Sequence, residues 1–226
     1  MTTQIYNIQT VKEAIGCWEA GADIIGLTPL HPADCDRVPA QVPDEICRGV
    51  MEASRGRGMV AMICLSDDPA FALSVAERFH PHILHISADH FYSDEDFYTA
   101  VKKIDPQIRI LQAVPVADEN ALKDAIIKSQ NADLLILDSV NPQLSCIGAA
   151  GVSHDWGIDR AIVESVGIPV ICAGGLGPHN VAQLIEEVHP WGVDSLTKTN
   201  RDRPDGVWEK DFAKVAEFCR IAKSFE

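Results

Sequence analysis

Basic residues are scarce in this chain of 226 residues. Lys and Arg number 19 against 33 Asp and Glu, which leaves a formal net charge of −14. A surface that negative repels phosphate backbones and acidic lipid, so neither nucleic acid nor a membrane is expected as a partner. A phosphate ligand would need local backbone N–H groups or a few placed cations. Long apolar runs are also missing: none reaches the roughly 18 residues that a membrane-spanning helix requires, and Met1 to Asn7 lacks the basic and apolar blocks of a secretory signal. The seven cysteines include no CxxC pair and are irregularly spaced, which argues against a disulfide framework and predicts buried free thiols in a reducing cytoplasm. No low-complexity tract or long Pro/Gly linker divides the sequence, so a single domain over residues 1–226 is expected.

What the chain does have is alternation. Runs rich in Ile, Val and Leu fall at Gln4–Ile8, Asp23–Leu27, Met59–Leu65, His82–Ile86, Ile108–Ala113, Leu134–Leu137, Pro169–Cys172 and Gly192–Leu196. Such runs suit parallel strands covered on both faces. Segments of helical period lie between them. Val11, Ala14, Ile15 and Trp18 predict the core face of a first helix with Thr10 as its N-cap. Phe71, Val75 and Phe79 do the same for a third helix, and Ala121, Ile126 and Ile127 for a fifth. Gly21 and Gly167 sit where helices should stop. Eight strand–helix units with short connections predict an α/β fold, a closed (β/α)8 TIM-type barrel rather than an open doubly wound sheet. In such a barrel the chemistry sits on the loops that follow the strands.

Three groups of residues stand out on those loops. Val170 to Ala173 runs into Gly174-Gly175-Leu176-Gly177, with Pro178 marking an expected helix start. Glycines let backbone N–H groups approach a phosphate, although a tight turn needing positive φ explains them equally well. The next strand ends in Thr197-Lys198-Thr199, which adds hydroxyl donors and a point charge; a solvated polar loop is the plain alternative. Asp138 closes the apolar run Leu134–Leu137, where partial desolvation lets a carboxylate act as acid or base, or simply cap loop N–H groups. Arg37, the one cation beside Asp34 and Asp36, is a candidate clamp for a ligand carboxylate, with His31 a weaker one. Histidines gather at His80, His82, His85 and His90, but strand alternation sets His82 and His85 on opposite faces, and neither a metal nor a cofactor is expected. His85 points into the barrel or towards its mouth.

These positions, in order, resemble phosphoribosylanthranilate isomerase. The resemblance lies in Leu137-Asp138-Ser139, in Gly148-Ala149-Ala150-Gly151 with Asp155-Trp156, in Pro169 to Asn180, and in Gly192-Val193-Asp194. Gly21-Ala22-Asp23 and Asp36-Arg37-Val38 echo earlier parts of the family pattern. The resemblance implies an Amadori-type aldose–ketose isomerisation of an N-linked phosphoribosyl substrate. Asp138 would be the general acid, Arg37 would hold the anthranilate carboxylate, and Gly174, Gly175, Thr197 and Lys198 would hold the phosphate. Asn7, Ser87 and Asp194 join them as substrate-binding candidates. The family's first strand ends Lys-Ile-Cys-Gly, its cysteine taking the C2 proton; here the sequence reads Gln4-Ile5-Tyr6-Asn7. The family's Gln-Leu-His-Gly reads His85-Ile86-Ser87-Ala88, its Ser-Gly phosphate loop reads Thr197-Lys198, and one glycine of its Gly-Gly-x-Gly loop is Ala149. The usual base is therefore absent, and His85 or Tyr6 would have to replace it. A related epimerase or lyase, or a phosphosugar-binding protein without catalysis, are the other readings. The expected partner is a small phosphorylated sugar, bound by a cytoplasmic monomer or homodimer.

Overall fold

The computed structural model describes residues 1–31, 41–141, 146–147, 155–201 and 208–225. The elements run β1 (Thr2–Ile5), α1 (Val11–Glu19), β2 (Ile24–Pro29), β3 (Gln41–Val42), α2 (Asp44–Ala53), β4 (Met59–Cys64), α3 (Pro69–Phe79), β5 (Ile83–Ile86) and α4 (Glu95–Ile104). They continue with β6 (Arg109–Val116), α5 (Asn120–Lys128), β7 (Leu134–Asn141), β8 (Cys146–Ile147), α6 (Trp156–Ser165), β9 (Val170–Cys172), α7 (Val181–Val188), β10 (Gly192–Ser195) and α8 (Phe212–Lys223). β1 pairs in parallel with both β2 and β10, so the sheet β1-β2-β4-β5-β6-β7-β9-β10 closes on itself. The expected (β/α)8 barrel is the observed one. Among the described residues no helix is long and apolar enough to cross a membrane.

Closure splits the apolar residues into two cores by strand alternation. One face of each strand packs under the helices, as with Leu135 and Leu137 of β7 or Val170 and Cys172 of β9. The other face fills the interior: Ile24, Ala61, Ile63, Ile83, Leu111, Ala113, Leu134, Ile136, Ile171 and Ala173. Continuing the same parity puts Asp138, next after Leu134 and Ile136, inside the mouth of the barrel. Asp194 follows the same rule, since its neighbour Val193 belongs to the outer core.

Several boundaries differ from those the sequence predicts. The first strand ends at Ile5 rather than Ile8, because Asn7 takes a left-handed φ of 66° and breaks the extended run. β7 continues to Asn141, so Asp138 lies within a strand and not after it. Helix α7 begins at Val181, with Pro178 in the turn before it. Thr10 caps α1 as expected, its hydroxyl accepting from Glu13 N at 3.1 Å. The buried face of α1, however, is Glu13, Ala14, Cys17 and Trp18, with Val11 and Ile15 only half-buried. Glu13 is drawn inward because its carboxylate accepts from the backbone N–H groups of Gln9 and Lys210, at 2.9 and 2.7 Å. On α5 the small Ala121 and Ala125 face the sheet, while Ile126 and Ile127 are 44 % and 42 % exposed. Cys17, Cys47, Cys64, Cys172 and Cys219 are buried and unpaired, and burial pushes Cys17, Cys47 and Cys64 up to about 12.

The interior is tightest where Tyr6 enters it. A Cβ on Gly26 of β2 would lie 2.0 Å from the Tyr6 ring, so only glycine leaves room for that side chain. Gly26→Ala is therefore expected to destabilise the fold by about 1–3 kcal/mol through overpacking. Thermal unfolding checks it: the midpoint should drop by roughly 2–4 °C per kcal/mol, and an unchanged midpoint would show that the ring has another place to go.

Candidate active site

A small cavity opens at the C-terminal ends of the strands, lined by Tyr6, Asp138, Gly174, Gly175, Asp194, Leu196 and Thr197. Four strand ends, those of β1, β7, β9 and β10, supply these residues, so the barrel and not any local motif assembles the site. A larger groove between α1 and α8, lined by Val11, Ile15, Phe212 and Ala216 among others, lies on the outside of the barrel. Only Lys12 and Glu19 lend it charge. Chemistry belongs to the smaller cavity, where carboxyls and glycine-rich backbone converge.

The turn after β9 takes the positive φ that a tight turn requires. Gly174 and Gly175 have φ of 85° and 67°, a conformation that disfavours any side chain. Asn180 braces the turn from the start of α7, its Oδ1 accepting from Gly177 N at 2.9 Å and its Nδ2 donating to Gly175 O at 3.3 Å. Ser195 Oγ donates to Leu176 O at 2.7 Å and ties this turn to the end of β10. A Cβ on Gly177 would meet the Lys198 Cβ at 2.5 Å, so the two loops abut. Lys198 is exposed at the rim, on the 3-10 turn Thr197–Thr199.

Two buried residues that no sequence motif marks stand behind this loop pair. Lys210 is 1 % exposed; its Nζ donates to Leu196 O at 2.9 Å and lies 3.5 Å from Thr199 Oγ1. Burial lowers it from the usual 10.5 to about 8, against the upward pull of Cys17, Asp194 and Glu13. Gln4 of β1 faces Asp194 across the β1–β10 ladder and donates from Nε2 to its Oδ1 at 3.3 Å. Nothing in the sequence separates Lys210 from a surface lysine, whereas Gln4 shares the inward parity of Tyr6.

The catalytic candidates divide. Asp138 is half-buried, and its Oδ1 accepts from Ser139 N at 2.7 Å. Asp194 is 3 % exposed; burial first, and then the charge of Asp138, pushes its carboxyl well above the ordinary range, while Gln4 and Lys210 pull the other way. Tyr6 and His85 form a buried pair, with the rings within 8° of parallel and the phenol hydrogen-bonded to His85 Nδ1. Burial, then Asp194 and Asp138, push the Tyr6 phenol well above its usual value, and burial alone brings His85 down to about 3. Both groups are thus neutral, and the phenol is the better donor of the two. His85 is 3 % exposed and is not among the cavity residues, since the Tyr6 ring stands beside it.

The remaining candidates are scattered. Asn7 follows Tyr6, is 8 % exposed, and its Nδ2 has no hydrogen-bond partner among the described residues. Ser87 is buried just past β5, its backbone N–H donating to Cys64 O at 3.0 Å. His31 packs edge-on against Phe71 on the outer wall. Arg37 and the stretch Gly148–Gly151 lie outside the described residues. Asp155 caps α6, accepting from Gly157 N at 2.9 Å.

Comparison with known proteins agrees with this fold. The family model for N-(5'-phosphoribosyl)anthranilate (PRA) isomerase matches residues 92–197, the part of the chain that carries Asp138, the Gly174–Gly175 turn and Asp194. The N-(5'-phosphoribosyl)anthranilate isomerase of Haloferax volcanii is 30 % identical over 205 residues, covering 91 % of this chain and 85 % of that protein. The chain belongs to the phosphoribosylanthranilate isomerase family. Among solved structures, the family member from Pyrococcus furiosus superposes with a TM-score of 0.77 at 21 % identity, over 99 % of each chain. A phosphoribosylanthranilate isomerase in complex with reduced 1-(o-carboxyphenylamino)-1-deoxyribulose 5-phosphate superposes with a TM-score of 0.76 at 20 % identity, again over 99 % of each. Within the family fold, this chain is marked by a tyrosine where the resemblance expects a cysteine.

Lys210 gives a test of the buried charge behind the two abutting loops. Its folded value of about 8 lies below the unfolded 10.5, so between these pH values the unfolded chain binds the extra proton and stability rises with pH. The penalty is fully present below pH 8 and gone above 10.5, a difference of about 3 kcal/mol. Chemical denaturation of the wild type and Lys210→Met across that window should show the wild type gaining relative to the variant. Parallel curves would mean that the ammonium is solvated.

Proposed function

We propose that this chain catalyses an intramolecular aldose–ketose isomerisation of an N-linked phosphoribosyl compound, with phosphoribosylanthranilate the substrate to test first. Family membership supports the reading, and one observation carries it: an inward carboxyl, Asp138, opens into the same cavity as the Gly174–Gly175 turn and Thr197. Phosphate would sit on the N–H groups of that turn and on Thr197, with Lys198 at the rim. Asp138 would protonate the ribose ring oxygen and open the sugar to a Schiff base. Asn7 Nδ2, buried without a partner among the described residues, suits a sugar hydroxyl, as does Ser87. Arg37 would reach the carboxylate of the aromatic half. In this reading one domain over residues 1–226 carries the whole site, as a cytoplasmic monomer or homodimer.

A second reading is favoured by Tyr6. If the neutral Tyr6–His85 pair leaves the site without a base, the chain is a phosphosugar-binding protein that keeps only the cradle. The purified protein incubated with phosphoribosylanthranilate, with product followed chromatographically, separates the two. Turnover is expected, and Asp138→Asn should lower it by about 10²- to 10⁴-fold, the usual contribution of a general acid, with inorganic phosphate still bound. Phosphate binding without conversion of any phosphosugar would establish the binding protein instead.

A further inference from the structure

An Amadori rearrangement needs two proton-transfer groups, one for the ring oxygen and one for the C2 proton. The position that resembles the family's cysteine holds Tyr6, whose hydroxyl is committed to His85 Nδ1 and whose ring is wedged over Gly26. As a base, Tyr6 would either become a phenolate beside two carboxyls or pass its proton to a histidine that burial keeps neutral. Both routes run against the charge distribution. His85 has no direct access, being outside the cavity wall.

The register of three adjacent strands points elsewhere. Leu137 pairs with Cys172, and Cys172 with Val193, so the next residues, Asp138, Ala173 and Asp194, stand side by side across β7, β9 and β10. Two strand spacings set the outer Cα atoms about 10 Å apart, with only the methyl of Ala173 between them. Both carboxyls line the cavity. The reacting carbons of a sugar would lie between two oxygen acids, below the phosphate cradle formed by the same strand ends.

We propose that Asp194 is the second catalytic carboxyl of this site, working opposite Asp138 across Ala173 in place of the missing strand-one base. The proposal rests on the isomerase reading above. The charged and titratable groups facing Asp194 are Asp138, Tyr6 and Lys210. With one carboxyl protonated and the other ionised, the two would supply one proton and accept another. The protonated member gives its proton to the ring oxygen; the C1–O bond breaks and the nitrogen lone pair forms the C1=N bond. The ionised member then takes the C2 proton. The C2–H pair becomes the C1=C2 bond, and the C1=N pair returns to nitrogen. Loss of the enol proton and protonation of C1 complete the ketone. One proton is given and one is taken, so the pair ends with the count it began with, and no oxidant or reductant is needed.

The test follows substrate deuterated at C2. The wild type should turn over and release the deuterium to solvent. Asp194→Asn should lower both by about 10²- to 10⁴-fold, while binding the reduced 1-(o-carboxyphenylamino)-1-deoxyribulose 5-phosphate within about threefold of the wild type. Asp194→Glu should recover at least tenfold over the Asn variant and restore the acid limb of the kcat/KM profile, which the Asn variant lacks. Turnover by Asp194→Asn within tenfold of the wild type overturns the assignment, as does a turnover loss matched by an equal loss of analogue affinity. A wild type that converts no phosphoribosylanthranilate overturns the isomerase reading, and the role of Asp194 with it.

Discussion

Closure of the sheet is the constraint from which the rest follows. Once β1 pairs with both β2 and β10, every strand must alternate between a helix-covered face and a sealed interior, and the register can no longer slip without moving charge into the core. Parity then fixes which side chains meet at the mouth. Asp138 and Asp194 lie about 56 positions apart in sequence. They face one cavity because each continues the inward rows that lower down carry Ile136 or pair with Gln4.

The mouth concentrates negative charge in a protein already strongly acidic. It is balanced from behind. Lys210 lies under the loops of the cradle rather than in the cavity, and it spends its ammonium donors on Leu196 O and on contact with Thr199. An ammonium there acts on the loop side of the cavity through the backbone that it holds, and on Asp194 through its field. Tyr6 does the opposite. It removes a reactive side chain from the end of β1 and replaces it with a neutral aromatic plug, which Gly26 admits and His85 holds. A site that loses one proton acceptor in this way still contains two carboxyls, and the distance across Ala173 makes them partners rather than one fused group.

Much of the architecture is legible without coordinates. The apolar runs at Met59–Leu65 and Leu134–Leu137 coincide with barrel strands because a strand covered on both faces has no room for polar residues. Thr10 is readable as a cap because its chemistry is local. Helix faces are read less well: on α5 the alanines and not the isoleucines go inward, since close approach to the sheet favours the smaller side chain. The end of β1 is misplaced for a similar reason, the break at Asn7 being a left-handed backbone conformation that an asparagine permits but does not demand.

The site divides along the same line. The sequence by itself determined the fold class, a glycine-rich turn after the run Pro169–Cys172, a carboxyl directly after the apolar run Leu134–Leu137 and the lack of a cysteine at the end of the first strand. These are properties of single residues and their near neighbours. Tertiary structure alone decided that Tyr6 is spoken for by His85, that Lys210 is an interior cation, and that Asp194 stands across one alanine from Asp138. Each depends on the register between strands and loops far apart in the chain, and hydrogen-bond pairing across a closed barrel sets that register.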